Sequence, residues 1–357
     1  MASNAFINQS SIPLTNGTSH GPISTYPKSN LQLEDRFIDE PRRLRVAVVG
    51  AGLAGINAAI LLPIKVPSID LVVYEKNNDV GGTWLENVYP GVRCDVAAHV
   101  YQSTFSANTQ WSEKFAGGAE IRDYWQSISR KYDAYKYIKL GHKVEELNWD
   151  GNEGVWVLSV KDLKTGEVST PKHDFVLTAI GRFNDWRLPD YPGMSEFKGL
   201  LRHSSNWDPS FDPTGKTVAV LGNGASGIQL TANIQKDVKR LDHYARNPTW
   251  IAASGAKDER TFEAQPYSKE EKESLKDPKA YLEFRKQMED KYWRRFGTFF
   301  RGSKENDESR KTFIAIMKEQ SARKPELLDL IIPDFSPNCR RLTPGRKSTS
   351  TFDSSDR

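Results

Sequence analysis

The sequence predicts an α/β protein carrying two strand–glycine-loop–helix units and a helical insertion. Three observations predict it. Two short charge-free runs, Val46 to Val49 and Val218 to Leu221, read as buried parallel strands. Each is followed at once by a glycine hexapeptide, Gly50-Ala51-Gly52-Leu53-Ala54-Gly55 and Gly222-Asn223-Gly224-Ala225-Ser226-Gly227. Each hexapeptide opens into an apolar stretch that suits a helix, which makes two βαβ units.

In chain order, residues 1–43 are rich in Ser, Asn, Thr and Pro and predict a disordered leader. A first unit then follows over 44–186, with a helix from Leu53 to Leu62 and a strand from Asp70 to Tyr74. An aromatic-rich looped region to about Ser127 and a mixed stretch to Trp149 come next. Two further strands are predicted, Val155 to Lys161 and Asp174 to Ala179, with a turn at Thr165-Gly166. Prolines 189, 192, 209 and 213 bracket the way into a second unit over 187–345, which begins its own βαβ at Lys216. Within it, residues 266–330 are charge-rich and helical. Their stripe of Tyr281, Phe284, Met288, Tyr292 and Phe296 reads as helix packing. The polar low-complexity tail 346–357 gives no reason to fold.

The bulk numbers exclude several classes. With 38% hydrophobic and 27% charged residues, the chain of 357 can bury a core. A net charge of +4 without a basic stripe argues against a nucleic-acid partner. Two distant cysteines, Cys94 and Cys339, make neither a disulfide framework nor a thiol redox pair. No histidines fall at i, i+4, so no metal site is expected. Val46 to Ile64 is charge-free at near-span length, but its three glycines favour strand, turn and helix over a membrane span. The beginning of the chain shows no secretory signal pattern, so a cytoplasmic location is expected by default.

The two loops carry chemistry. In each, the first glycine makes the tight turn and the second lets the backbone approach a pyrophosphate. The third allows close helix–strand packing, and the helix N-terminus attracts the anion. Glu75 follows Gly55 by 20 residues, at the end of the next strand. A carboxylate there accepts ribose hydroxyls and repels a 2′-phosphate. Arg246 follows Gly227 by 19 residues and suits a 2′-phosphate, the alternative being a solvated surface charge. Ala225 and Ser226 complete the second cradle. One cofactor without a 2′-phosphate and one with it are most simply FAD and NADPH, with hydride passing from nicotinamide to flavin.

Two longer strings add a resemblance. Gly81-Gly82-Thr83-Trp84 leads to Tyr89-Pro90-Gly91 and Arg93-Cys94-Asp95, while Phe197-Lys198-Gly199 leads to His203 and Trp207-Asp208. With the cradles, these resemble the signatures of the Baeyer–Villiger monooxygenases over roughly residues 44–345. The resemblance implies that Gly82, Thr83, Trp84 and Tyr101 lie along the flavin. Asp95 would sit at its reactive edge, with Arg93 and Cys94 in the same loop. In Cys339-Arg340-Arg341, Arg340 would help hold the 2′-phosphate. Arg341 would be the active-site arginine that stabilises charge, oriented by Asp95. His203 and Trp207 would lie on a linker that couples the two nucleotide domains.

The activity so implied inserts one oxygen of O2 beside the carbonyl of a small ketone to give an ester or lactone. Segment 266–330 would cover the site against water. The rival readings are nitrogen or sulfur oxygenation, and a non-catalytic remnant. The resemblance stops at Gly345, whereas members of that family continue for well over a hundred residues. A shortened C-terminal part is therefore expected, with exposed apolar faces and weakened flavin retention.

Overall fold

The computed structural model describes residues 37, 40–66, 68–251, 266–340 and 342. The expectations for the tail and Arg341, and for all of the leader but residues 37 and 40–43, lie outside the described residues. The architecture below belongs to the unit Arg42–Arg357.

The first parallel sheet is built from β1 (Leu44–Val49), β2 (Ile69–Tyr74), β3 (Ile138–Lys139) and β8 (Phe175–Thr178), in the order β3-β2-β1-β8. Between β1 and β2 runs α1 (Leu53–Lys65). The stretch to β3 carries α2 (Thr83–Glu86) and α3 (Gly118–Lys131). An antiparallel sheet of β4 (His142–Asp150), β5 (Val155–Asp162), β6 (Val168–Ser169) and β7 (Lys172–His173) is inserted before β8. The second unit has β9 (Thr217–Leu221), α4 (Ala225–Ile234) and β10 (Arg240–Tyr244), with β9 and β10 parallel. The helices α5 (Lys269–Ser274), α6 (Pro278–Trp293), α7 (Lys304–Gln320) and α8 (Leu328–Ile331) follow.

Period-two alternation sorts the first sheet's side chains into two cores. Val46 and Val48 of β1, with Leu71 and Val73 of β2, face Ile56 and Ile60 of α1 and Ile121, Trp125 and Ile128 of α3. Ala47 and Tyr74 face the other way, onto Leu158 and Val160 of β5. Both faces are therefore covered, which is why β1 reads as a continuous apolar run rather than an alternating one. Each fully buried branched side chain such as Ile56 contributes roughly 1.5–3 kcal/mol.

At the edge, Arg45 and Asp174 fix the register of β1 against β8. The Arg45 backbone N–H and its Nη2 donate to the Asp174 carboxylate at 2.8 and 2.7 Å. These bonds, the side-chain one first, hold the Asp174 carboxyl down at about 2. The outer faces are less covered. Phe175, Leu177, Ile180 and Leu221 all stand exposed.

The first strand–helix–strand unit falls where the spacing puts it, and α1 runs three residues past Leu62, with Pro63 inside it. Of the elements that the sequence reading leaves out, α3 and β4 are the longest. Helix α3 occupies the region read as looped and mixed, although Ile121, Tyr124, Trp125 and Ile128 stand at helical spacing. Strand β4 carries a bulge between Val144 and Glu146, which breaks the alternation that would have marked it. In the aromatic stripe, Tyr281, Phe284 and Tyr292 pack as a helix face should. Phe296 departs from that expectation: it lies beyond the end of α6, in a short 3-10 turn, and is exposed.

Candidate functional site

The two glycine loops fold alike. Gly50 N–H donates to the Tyr74 carbonyl at 2.8 Å, and Gly222 N–H donates to the Tyr244 carbonyl at 2.9 Å. Each first glycine is thus tied to the last residue of the neighbouring strand. Each third glycine packs against the first. A Cβ on Gly55 would fall 1.9 Å from the Gly50 carbonyl oxygen, and one on Gly227 2.2 Å from that of Gly222.

Helices α1 and α4 begin at Gly52 and Gly224 without a side-chain cap and without an acidic residue in the first turn. Helices α5, α6 and α7, by contrast, are capped by Ser268, Asp277 and Ser303. Uncapped first-turn N–H groups with a positive dipole end suit an anionic phosphate. At the second cradle, a Cβ on Gly224 would meet nothing within 4 Å, so the backbone is open to a ligand's approach. Beside it, Asn223 Oδ1 is buried without a hydrogen-bond partner. Both cradles therefore fit a dinucleotide.

Their ribose ends differ. Glu75 is buried at 4% exposure, and its carboxylate accepts from Ala51 N–H at 2.6 Å and Asn77 N–H at 2.8 Å. It braces the first loop as well as presenting negative charge beside it. Following the last strand residue of the second unit, the place of Glu75 is taken by Ala245, and Arg246 stands next. Arg246 is exposed, and no carboxylate pairs with it among the described residues. Glu75 thus puts a buried carboxylate beside the first cradle, whereas an exposed guanidinium follows the last strand of the second unit. His243 Nε2 lies 3.0 Å from the Gly222 carbonyl oxygen, a contact that the sequence does not announce.

The Gly81-Gly82-Thr83-Trp84 string lies against the first cradle. Gly81 N–H donates to the Ala51 carbonyl at 3.0 Å. Trp84 is buried and Thr83 is exposed. Trp84 Nε1 donates to the Tyr101 hydroxyl at 3.3 Å, with the rings edge to face at 5.7 Å. Asp95 is half-buried in the following loop. Its neighbours are engaged in holding that loop: Arg93 Nη1 pairs with Glu113 Oε1 at 2.9 Å, and Cys94 is buried in the main core. Arg340 is exposed, with its guanidinium over the Phe335 ring at 5.1 Å. Phe335 packs in turn against a cluster that includes Ile228 of α4. The imidazole of His203 stacks on Trp186 at 5.4 Å, and its Nδ1 accepts from Ser205 N–H at 3.1 Å.

Helix α6 reaches the loop that follows Asp95. The Tyr292 hydroxyl accepts from Ala97 N–H at 3.1 Å. His99 is enclosed by Tyr267, Tyr281 and Phe284, with Nδ1 3.2 Å from the Tyr281 hydroxyl. Gln102 Nε2 donates to the same hydroxyl. Burial first, and the Arg285 charge second, hold the His99 imidazole down at about 4, so it is neutral near pH 7. Nothing in the sequence pattern singles out His99. Only the packing of the aromatic stripe finds it. Among the described residues, no three His, Cys, Asp or Glu side chains could hold a metal ion, and no helix is long and apolar enough to cross a membrane.

Fold and site together define a protein of two dinucleotide-binding α/β units. The model of the flavin-binding monooxygenase-like family matches residues 43–264, and the chain belongs to that family. The FAD-binding monooxygenase tazF of Aspergillus terreus is 35% identical over 314 residues, covering 85% of this chain and 55% of the relative. A Baeyer-Villiger monooxygenase of Streptomyces coelicolor is 36% identical over 209 residues, covering 58% of this chain and 39% of the relative. Among solved structures, OTEMO in complex with FAD and NADP superposes with a TM-score of 0.72 at 25% identity, covering 87% of this chain and 64% of that one. Cyclohexanone monooxygenase from Rhodococcus sp. Phi1 bound to NADP+ gives 0.72 at 22% identity, a likeness of fold. The chain spans about half the length of the curated relatives it matches.

Proposed function

We propose that this chain binds FAD and NADPH and belongs to a Baeyer–Villiger-type monooxygenase, which converts a small ketone to an ester or lactone. The observation that carries it is the pair of like-folded cradles with unlike ribose ends, Glu75 at one and Arg246 at the other. On this reading residues 44–186 are part of the FAD domain, and residues 187–345, with the helical segment 266–330, take NADPH.

The N-terminus of α1 with Gly50 and Gly52 would hold the FAD pyrophosphate, Gly55 would let α1 pack close beneath it, and Gly82, Thr83, Trp84 and Tyr101 would lie alongside. Gly222, Gly224, Ala225 and Ser226 would hold that of NADPH, with Gly227 letting α4 pack close, and Arg246 and Arg340 would hold its 2′-phosphate. FAD and NADPH supply the redox chemistry that activates O2 when they are bound. The chain's own contribution is positional and electrostatic. Asp95 orients Arg341, whose fixed positive charge stabilises negative charge that develops at the substrate. Arg93 and Cys94 fix the loop that carries Asp95. Helix α6, clasped through Ala97, His99 and Gln102, keeps water from that loop.

The test is the visible spectrum of the purified protein before and after NADPH in air, followed by product analysis with a cyclic ketone and a thioether. Flavin absorbance that bleaches and recovers, with ester or lactone formed, is the expected result. Sulfoxide as the sole product would replace ketone oxygenation by heteroatom oxygenation. A protein that stays colourless after FAD is added would reject the reading for this chain. A second reading, a non-catalytic remnant that binds nucleotide weakly or not at all, is favoured by the exposed apolar residues Phe175, Leu177 and Leu221 of the strands around the cradles. It predicts a protein that holds little or no flavin and forms no product.

A further inference from the structure

The Tyr89-Pro90-Gly91 string takes no part in either cradle, yet it is plugged into the second unit. Tyr89 and Val92 pack among Val220, Leu230 and Ile234, the core between β9 and α4. The Tyr89 hydroxyl donates to Gln229 Oε1 at 2.9 Å. Gln229 Nε2 donates in turn to the Arg93 carbonyl at 3.2 Å. Asn233, one turn further along α4, presses on Gly91, where a Cβ would lie 2.0 Å from Nδ2. The amide of Gln229 is thus spent, acceptor and donor, on a loop some 140 residues away in sequence. Arg93 is also paired with Glu113, so the segment leading into Cys94 and Asp95 is held from both sides.

Helix α4 has the second cradle at its N-terminus and Gln229 one turn inside. A shift of α4 when a pyrophosphate docks must therefore move or strain the 89–95 loop, because the buried Tyr89–Gln229 bond has no water to replace it. We infer that Tyr89 and Gln229 form a latch between the two dinucleotide sites, through which occupancy of the second cradle positions the loop bearing Asp95. This rests on the dinucleotide-binding reading above. Linkage makes the effect reciprocal: each nucleotide raises the affinity for the other by the same factor. Gln229 is a positioning residue in this scheme, touching neither cofactor.

Calorimetry on the whole chain tests it. The Kd for NADP+ is measured with and without saturating FAD, and the Kd for FAD with and without saturating NADP+. Tyr89→Phe keeps the ring in its apolar seat and removes the hydroxyl. Gln229→Glu keeps the acceptor for Tyr89 and removes the donor to Arg93. In the parent chain both ratios are expected to be equal and at least about fivefold. In the variants both fall to within about twofold of one, while the affinity for each nucleotide alone is retained. A merely structural role would lower both affinities together and leave the ratio standing, which overturns the latch. So does a parent ratio of one. Because Gln229→Glu places a charge in a buried site, Tyr89→Phe decides where the two variants differ. If the parent chain binds neither nucleotide, the dinucleotide reading itself fails, and the latch with it.

Discussion

Gly52 and Gly82 lie backbone against backbone. A Cβ on Gly82 would fall 2.8 Å from the Gly52 Cα, and Gly82 itself holds a φ of +53°. The second glycine string is thereby pressed onto the first cradle, and Thr83 and Trp84 are carried to its side. Substituting Gly82→Ala meets both an unfavourable backbone region and a contact with main chain that cannot swing away. We expect a loss of about 1–3 kcal/mol of stability and weaker FAD binding. Thermal unfolding and a flavin fluorescence titration read the two effects separately. Unchanged FAD affinity would detach this contact from the cradle.

Arg246 should decide between the two nicotinamide cofactors. A charge-assisted contact to phosphate contributes about 1.5–3 kcal/mol, so Arg246→Ala should weaken NADPH binding roughly 10- to 100-fold. NADH has no 2′-phosphate, and its affinity should not change. Equal losses for both would make Arg246 a surface charge with no part in selectivity.

The bonds between Arg45 and Asp174 tie β1 to the edge strand β8. The Asp174 carboxyl is held below its ordinary value, so its contribution is present above about 3.8 and is lost as the pH falls through about 2. Asp174→Asn should lower stability at pH 7 by about 1 kcal/mol, discounted because Arg45 is partly exposed. Urea unfolding at pH 7 and pH 2.5 checks it: the gap between parent and variant should narrow at the lower pH.

His99 predicts acid sensitivity at a higher pH. Its folded value of about 4 lies below the ordinary 6.5, so the stability of the neutral ring is full above 6.5 and lost as the pH falls towards 4. The groups around it are Tyr267, Tyr281, Phe284, Gln102 and the Arg285 cation. Between pH 6.5 and 4, the parent should lose on the order of 2 kcal/mol more than His99→Gln. Parallel unfolding midpoints across that range would show that another group titrates.

The chemistry-bearing loops were legible because their signals are local. Gly50 to Gly55 and Gly222 to Gly227 each follow a four-residue apolar run, Glu75 comes directly after the next strand, and Arg246 comes two residues after its counterpart. Helix α3 was legible in principle, from the spacing of Ile121, Tyr124, Trp125 and Ile128, but aromatic richness masked it. Strand β4 was not, because its bulge breaks the period that a sequence can display. Glu75 was read as a ribose acceptor, and its hold on Ala51 N–H came only with the fold.

By itself the sequence determined two glycine cradles, their order and the strands and helices that flank them, because turn geometry and strand–helix periodicity act over a few tens of residues. The tertiary structure alone decided that Tyr89 meets Gln229, that His99 is sealed beneath Tyr281, and that Gly82 rests on Gly52. Those pairings depend on which faces bury together across up to 182 residues of chain. Local pattern fixes that a face is apolar, while packing fixes what covers it.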